Sequence, residues 1–73
     1  MQLNASDNYR INRIRRGVPM SYRHKLMSMG LLPGTAFEVI GVAPLGDPVA
    51  IKVKGFLLSL RKSELEALDI ETI

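Results

Sequence analysis

The side chains that could carry chemistry are few in this chain and poorly spaced for catalysis. His24 is the only histidine, and cysteine is absent. Because no carboxylate lies within one helical turn of His24, the chain lacks a ligand set for iron or zinc, and we expect no metal site and no cofactor. Glu64 and Glu66 are too close in sequence to share a helix face. The chain has neither a glycine-rich phosphate loop nor a nucleophile with a histidine partner, so we expect no enzyme.

Basic side chains leave a binding function open. The net charge is +3, and positive residues concentrate in the first half of the sequence. A basic face on a small barrel is typical of nucleic-acid-binding proteins, and this remains one alternative, with a small-ligand or metal sensor as another. Aromatic platforms for bases are scarce, however, so no nucleic acid is expected as the partner. The candidate phosphate-binding residues are Arg10, Arg13, Arg15, Arg16, Lys52, Lys54, Arg61 and Lys62.

Length and composition predict one small domain. The 73 residues, with 47% hydrophobic and 23% charged residues, fit a single globular domain over 1–73 with a loose lead-in over 1–8. The longest uncharged run, Leu26–Phe37, is shorter than the ~20 apolar residues that cross a membrane. The first residues do not resemble a signal peptide, which predicts a cytoplasmic protein.

A short helix is predicted over 22–29, after a strand that begins at Tyr9. Ser21 is the expected N-cap, and Gly30 is the expected left-handed residue that ends the helix. One apolar stripe should pack on the rest of the domain, and it consists of Tyr22, Leu26 and Met29. Arg23, Lys25 and Met27 lie off that stripe, and methionine beside cations suits a partner's mixed surface.

Two turns stiffened by proline follow the helix. Pro33 and Gly34 have the order of a type II turn. The loop 43–48 should form a rigid hairpin tip, because it holds Pro44, Gly46 and Pro48. If this tip is functional, its exposed side chains would serve recognition, and Asp47 has the alternative role of accepting backbone amides.

The pattern of the remaining sequence predicts mostly strands. Alternation or β-branched content predicts strands over 35–42, 49–53, 56–60 and 69–73, the third with both faces buried. Ser63 and Glu66 have the spacing of a capping box that starts one helical turn. Five short strands are too few for a sandwich, so the prediction is an all-β, small SH3-like or OB-like barrel with short helices.

Three sequence blocks resemble a known family. The blocks occur in order and cover most of the chain: the helix with its turn (22–34), the loop 42–48, and the pair Leu60-Arg61. Together they are similar to the ferrous iron transport protein A (FeoA) family. The resemblance implies an SH3-like barrel that acts as an accessory binding module of FeoB, a membrane ferrous-iron permease with a GTP-hydrolysing domain.

The resemblance and the exposed positions together predict a docking surface. The partner would be the cytoplasmic side of the permease, with its GTPase domain as one candidate contact and a third small Feo protein left open. The predicted partner-binding residues are Tyr22, Arg23, Lys25, Leu26, Met27, Leu31, Leu45, Asp47 and Arg61. The predicted structural turn residues are Gly30, Pro33, Gly34, Pro44, Gly46 and Pro48.

Overall fold

Five antiparallel strands and two short helices make up the fold. The computed structural model describes residues 3–73. Its elements are β1 (Asn8–Ile14), α1 (Met20–Ser28), β2 (Ala36–Val42), β3 (Val49–Val53), β4 (Phe56–Leu60), α2 (Lys62–Glu66) and β5 (Leu68–Thr72). The predicted all-β class, with one helix after the first strand and one turn of helix before the last, is confirmed. No helix within 3–73 is long and apolar enough to cross a membrane.

The sheet follows the order β4-β3-β2-β1-β5, so β4 and β5 are its two edges. The domain has a single hydrophobic core, and every strand and both helices contribute buried side chains to it. On β3 the alternation is regular, with Val49, Ile51 and Val53 buried and Lys52 exposed. On β1 the register with β5 shifts between Ile11 and Arg13, which explains why Ile14 is out of phase in sequence yet buried.

The segment before β1 is held against the sheet, contrary to the predicted loose lead-in. The Ser6 N–H donates to the Val39 carbonyl at 2.7 Å, and the Val39 N–H donates to the Asp7 carbonyl at 2.9 Å. Asn8 already belongs to β1, and Leu3 packs on the core. The first two residues of the predicted lead-in lie outside the described residues.

Helix α1 begins one residue before the predicted cap. Ser21 lies inside the helix and Pro19 occupies the cap position without a side-chain hydrogen bond, so the Ser21 N-cap is wrong. The other end agrees with the prediction: Gly30 has φ +85°, and the Leu31 N–H reaches the Leu26 carbonyl at 3.1 Å. This is the glycine-ended motif that satisfies the last carbonyls of a helix.

Helix α2 also begins earlier than predicted, so the Ser63–Glu66 capping box is wrong. The helix begins at Lys62, and the side chain that reaches back is Glu64, whose Oε1 accepts the Arg61 N–H at 2.9 Å. Glu64 can do this because it occupies the third helical position after Arg61, where a glutamate reaches the cap amide.

Strand β4 departs most from expectation. Its predicted burial on both faces is wrong, because Phe56 and Leu57 are 72% and 71% exposed and only Leu60 is fully buried. Lys54 and Gly55 join β3 to β4 with positive φ at both positions, as a tight two-residue hairpin requires. Nothing among the described residues pairs with the far edge of β4.

Candidate functional site

The apolar members of the predicted partner-binding set separate by burial. Leu26 and Leu31 have no exposed surface, so assigning them to partner contact is wrong for this conformation. Both belong to the core, where they hold α1 and the turn after it against the sheet. Met27 is 45% exposed, and it is the apolar member on α1 that a partner can reach.

Three further residues of the predicted set on α1 make contacts within the domain. The Arg23 guanidinium donates from Nε to the Val18 carbonyl at 3.2 Å and from Nη2 to the Arg15 carbonyl at 3.0 Å. Arg23 therefore ties α1 to the loop that precedes it. Tyr22 is half-buried against the core, and the Lys25 ammonium lies 5.7 Å from the centre of its ring.

Glu64 links the two helices. Its Oε2 lies 3.4 Å from Lys25 Nζ on α1, while its Oε1 accepts the Arg61 N–H before α2. Glu64 is nearly buried, and a buried carboxylate needs such partners to offset its lost hydration. The Arg61 side chain itself is exposed. The structure thus brings Lys25 and Arg61 together through a residue that the sequence analysis assigned no role at the site.

The loop between β2 and β3 is hydrogen-bonded at its base and exposed at its tip. The Gly46 N–H donates to the Ala43 carbonyl at 2.7 Å, and Gly46 has φ +84°. Asp47 Oδ1 accepts the backbone N–H of Lys62 at 2.8 Å, which ties the loop to the start of α2. Leu45 at the tip is 96% exposed. The turn after α1 has the expected form as well, since Gly34 has φ +88° and the Thr35 N–H donates to the Leu32 carbonyl at 3.0 Å.

A groove between the end of α1 and strand β4 was missed by the sequence analysis. We call it the α1–β4 groove; it encloses about 470 Å³, with Ser28, Met29 and Gly30 on one side and Lys54, Phe56 and Leu57 on the other. The signal in the sequence was a run of apolar residues directly after a two-residue turn, which fits an exposed edge as well as a buried strand. A smaller groove of about 250 Å³ lies beside Pro44, Lys62 and Leu65.

The basic residues do not form one continuous free stripe. Arg10 lies 3.5 Å from Glu71 and Arg13 lies 3.1 Å from Asp69, so two of the candidate phosphate-binding side chains face acids on β5. Lys52 stands opposite Glu38 across β2 and β3. His24 is exposed on α1, and the described residues hold no group of three metal-ligating side chains.

The family is decided by a match over nearly the whole chain. The model of the FeoA domain family matches residues 1–72. The chain belongs to the FeoA family. Among its relatives is the Fe(2+) transport protein A/Fe(2+) transporter FeoB fusion protein of Porphyromonas gingivalis, 32% identical over 73 residues, or 99% of this chain. This FeoA-family chain spans only 8% of the fusion protein.

Solved structures of the same family share the fold. The solution structure of iron(II) transport protein A from Clostridium thermocellum superposes with a TM-score of 0.89 at 35% identity, over 99% of this chain and 43% of that one. The zinc complex of Stenotrophomonas maltophilia FeoA, described as a procaryotic SH3 domain protein, gives a TM-score of 0.79 at 17% identity over 96% of this chain and 85% of that one. The predicted SH3-like fold is therefore confirmed.

Proposed function

We propose that this FeoA-family chain is an accessory binding module that docks on the cytoplasmic side of a FeoB-type ferrous-iron permease and modulates its assembly or its GTPase and transport activity. The observation that carries the proposal is the related fusion protein, in which an FeoA part and a FeoB part share one polypeptide. Joining two modules raises their effective concentration, so a fusion is most useful where the two parts act on each other.

The surface of the chain supports a docking role. Met27 on α1 and Leu45 at the loop tip are exposed apolar side chains, and Arg23 and Lys25 precede Met27 on the same helix. Aromatic residues, methionine and arginine are the types enriched where proteins meet. The chain acts in this proposal by binding alone, without catalysis of its own.

A module of this kind can alter the permease cycle only by binding one state better than another. If the chain prefers the GTP-bound permease, the same preference must stabilise that state, because coupling between two ligands is reciprocal. Equal affinity for the GTP-bound and nucleotide-free forms would leave a role in assembly and remove regulation through nucleotide state.

Co-purification of the tagged chain with the full-length permease from the same cell tests the docking. Met27→Asp should reduce capture, because it places a charge in an apolar contact. Ile40→Asp is a matched control, since Ile40 on β2 is 45% exposed, as Met27 is. Loss of capture with Met27→Asp alone supports docking through α1. Capture of no permease in any nucleotide state would refute the proposed function.

A further inference from the structure

Strand β4 has an unpaired backbone edge. It pairs only with β3, and no other backbone hydrogen bond reaches Phe56–Leu60 within the described part of the chain. On an edge strand, alternate N–H and C=O groups point away from the sheet and are free to pair with another strand. The edge of β4 can therefore accept an additional strand.

The two edges of the sheet are protected to different degrees. On β5, Asp69 and Glu71 carry charges and pair with arginines of β1. Charged side chains on an edge strand discourage pairing with other chains. Strand β4 has no charged residue, and it exposes Phe56 and Leu57 at the end next to its turn. The edge that carries apolar side chains is thus also the edge without charged side chains.

The surroundings of β4 supply a place for the side chains of an added strand. The α1–β4 groove is lined by Phe56 and Leu57 on β4 and by Met29 and Gly30 at the end of α1. Its volume of about 470 Å³ is within the range of natural binding pockets. Every second side chain of an added strand would face this groove.

Positive charge at both ends of β4 indicates that the partner segment is negatively charged at its ends. Lys54 precedes the strand and Arg61 and Lys62 follow it, all exposed, and none forms an ion pair within residues 3–73. A second copy of this chain would bring cations against cations in either orientation of the two β4 strands. A segment with acidic residues at both ends would instead meet an opposite charge at each end.

We propose that β4 and the α1–β4 groove bind an extended partner segment by strand addition, and that this segment has an apolar centre flanked by acidic residues. Backbone hydrogen bonds supply affinity in this mode, and alternate side chains supply specificity. The inference deepens the docking function proposed above and rests on it for the source of the segment, the permease.

Titration of the isotope-labelled full chain with a synthetic peptide tests the inference without the permease. The probe is acetyl-Glu-Glu-Val-Thr-Val-Tyr-Val-Glu-Glu-amide, followed by amide NMR shifts and hydrogen exchange. We expect shifts concentrated at 54–60 and slower exchange of β4 amides. A peptide with lysine in place of each glutamate should bind at least tenfold more weakly, and one N-methylated through its centre should not bind.

Two variants and one control variant locate the contact. Leu57→Ser should weaken the acidic peptide at least tenfold, whereas Ile73→Ser, a matched control at a 52% exposed residue after β5, should not. The double variant R61E/K62E should lose the preference for acidic ends, because it reverses the charge at one end of β4. Equal binding of the N-methylated peptide, or full affinity in Leu57→Ser, would overturn strand addition.

The two proposals fail separately. If the permease is captured but the acidic peptide does not bind, strand addition is wrong and docking stands. If the peptide binds at β4 but the permease is never captured, strand addition stands and its assignment to the permease is wrong.

Discussion

Asp47 and Lys62 are joined by a hydrogen bond between a loop and a helix that are 15 residues apart in sequence. The Asp47 carboxylate oxygen accepts the Lys62 backbone N–H at 2.8 Å, at the first residue of α2. The first amides of a helix have no partner within it, so this contact satisfies one of them while anchoring the loop. Leu45 therefore lies at the exposed tip of a loop that is hydrogen-bonded to the start of α2.

Removal of that carboxylate should loosen the loop and the helix together. Asp47→Ala is expected to lower the free energy of unfolding by about 1 kcal/mol, the usual worth of a hydrogen bond of this kind. Asp47→Asn keeps an acceptor oxygen and should recover most of the loss. Urea denaturation followed by circular dichroism measures both, and wild-type stability in Asp47→Ala would contradict the assigned role.

Truncation of two neighbouring residues on α1 should change the free energy of unfolding by very different amounts. Leu26→Ala leaves a cavity in the core and should lower the free energy of unfolding by about 2–5 kcal/mol. Met27→Ala removes a half-exposed side chain and should change it by less than about 0.5 kcal/mol. The same denaturation experiment compares them, and similar losses in the two variants would show that the helix faces are wrongly assigned.

The position that ends α1 should require glycine, because its backbone has a positive φ. Gly30 has φ +85° with open space where a Cβ would stand, so Gly30→Ala should cost about 1–3 kcal/mol through backbone strain. Gly41 has equal space but no positive φ, and Gly41→Ala should be neutral or stabilising by up to about 1 kcal/mol. Thermal unfolding measures the stability of both variants. Equal effects of Gly30→Ala and Gly41→Ala would argue against backbone strain at position 30.

Nucleic acid should bind weakly at most. Because Arg10 and Arg13 face Glu71 and Asp69, the positive field over β1 and β5 is partly cancelled. A fluorescent oligouridylate should therefore give no anisotropy change with the chain at low salt. Affinity that falls steeply as salt rises, the signature of phosphate contacts, would instead favour the nucleic-acid-binding alternative.

Local patterns in the sequence predicted much of the fold. The glycine that ends α1, the Pro33-Gly34 turn and the alternation on β3 depend on backbone conformation and near neighbours, and all three agree with the structure. The helix starts were misplaced because Ser21 and Ser63 resemble caps, while the chain begins its helices at Met20 and Lys62.

The candidate site depended on information that local patterns lack. Phe56 and Leu57 were predicted to be buried because apolar residues on an edge strand have the same pattern as those on an inner strand, and no further strand among residues 3–73 lies along the outer edge of β4. The bonds from Glu64 to Lys25 and from Asp47 to Lys62 join residues that only the folded chain brings together.

Direct binding to the permease tests the central claim. The purified chain, Met27→Asp and Ile40→Asp would each be titrated onto purified, immobilised FeoB-type permease, after circular dichroism has shown that all three are folded. The account predicts that wild type and Ile40→Asp bind equally and that Met27→Asp binds at least tenfold more weakly. Unchanged binding by folded Met27→Asp would contradict docking through α1, and the absence of binding by the wild-type chain would contradict the function itself.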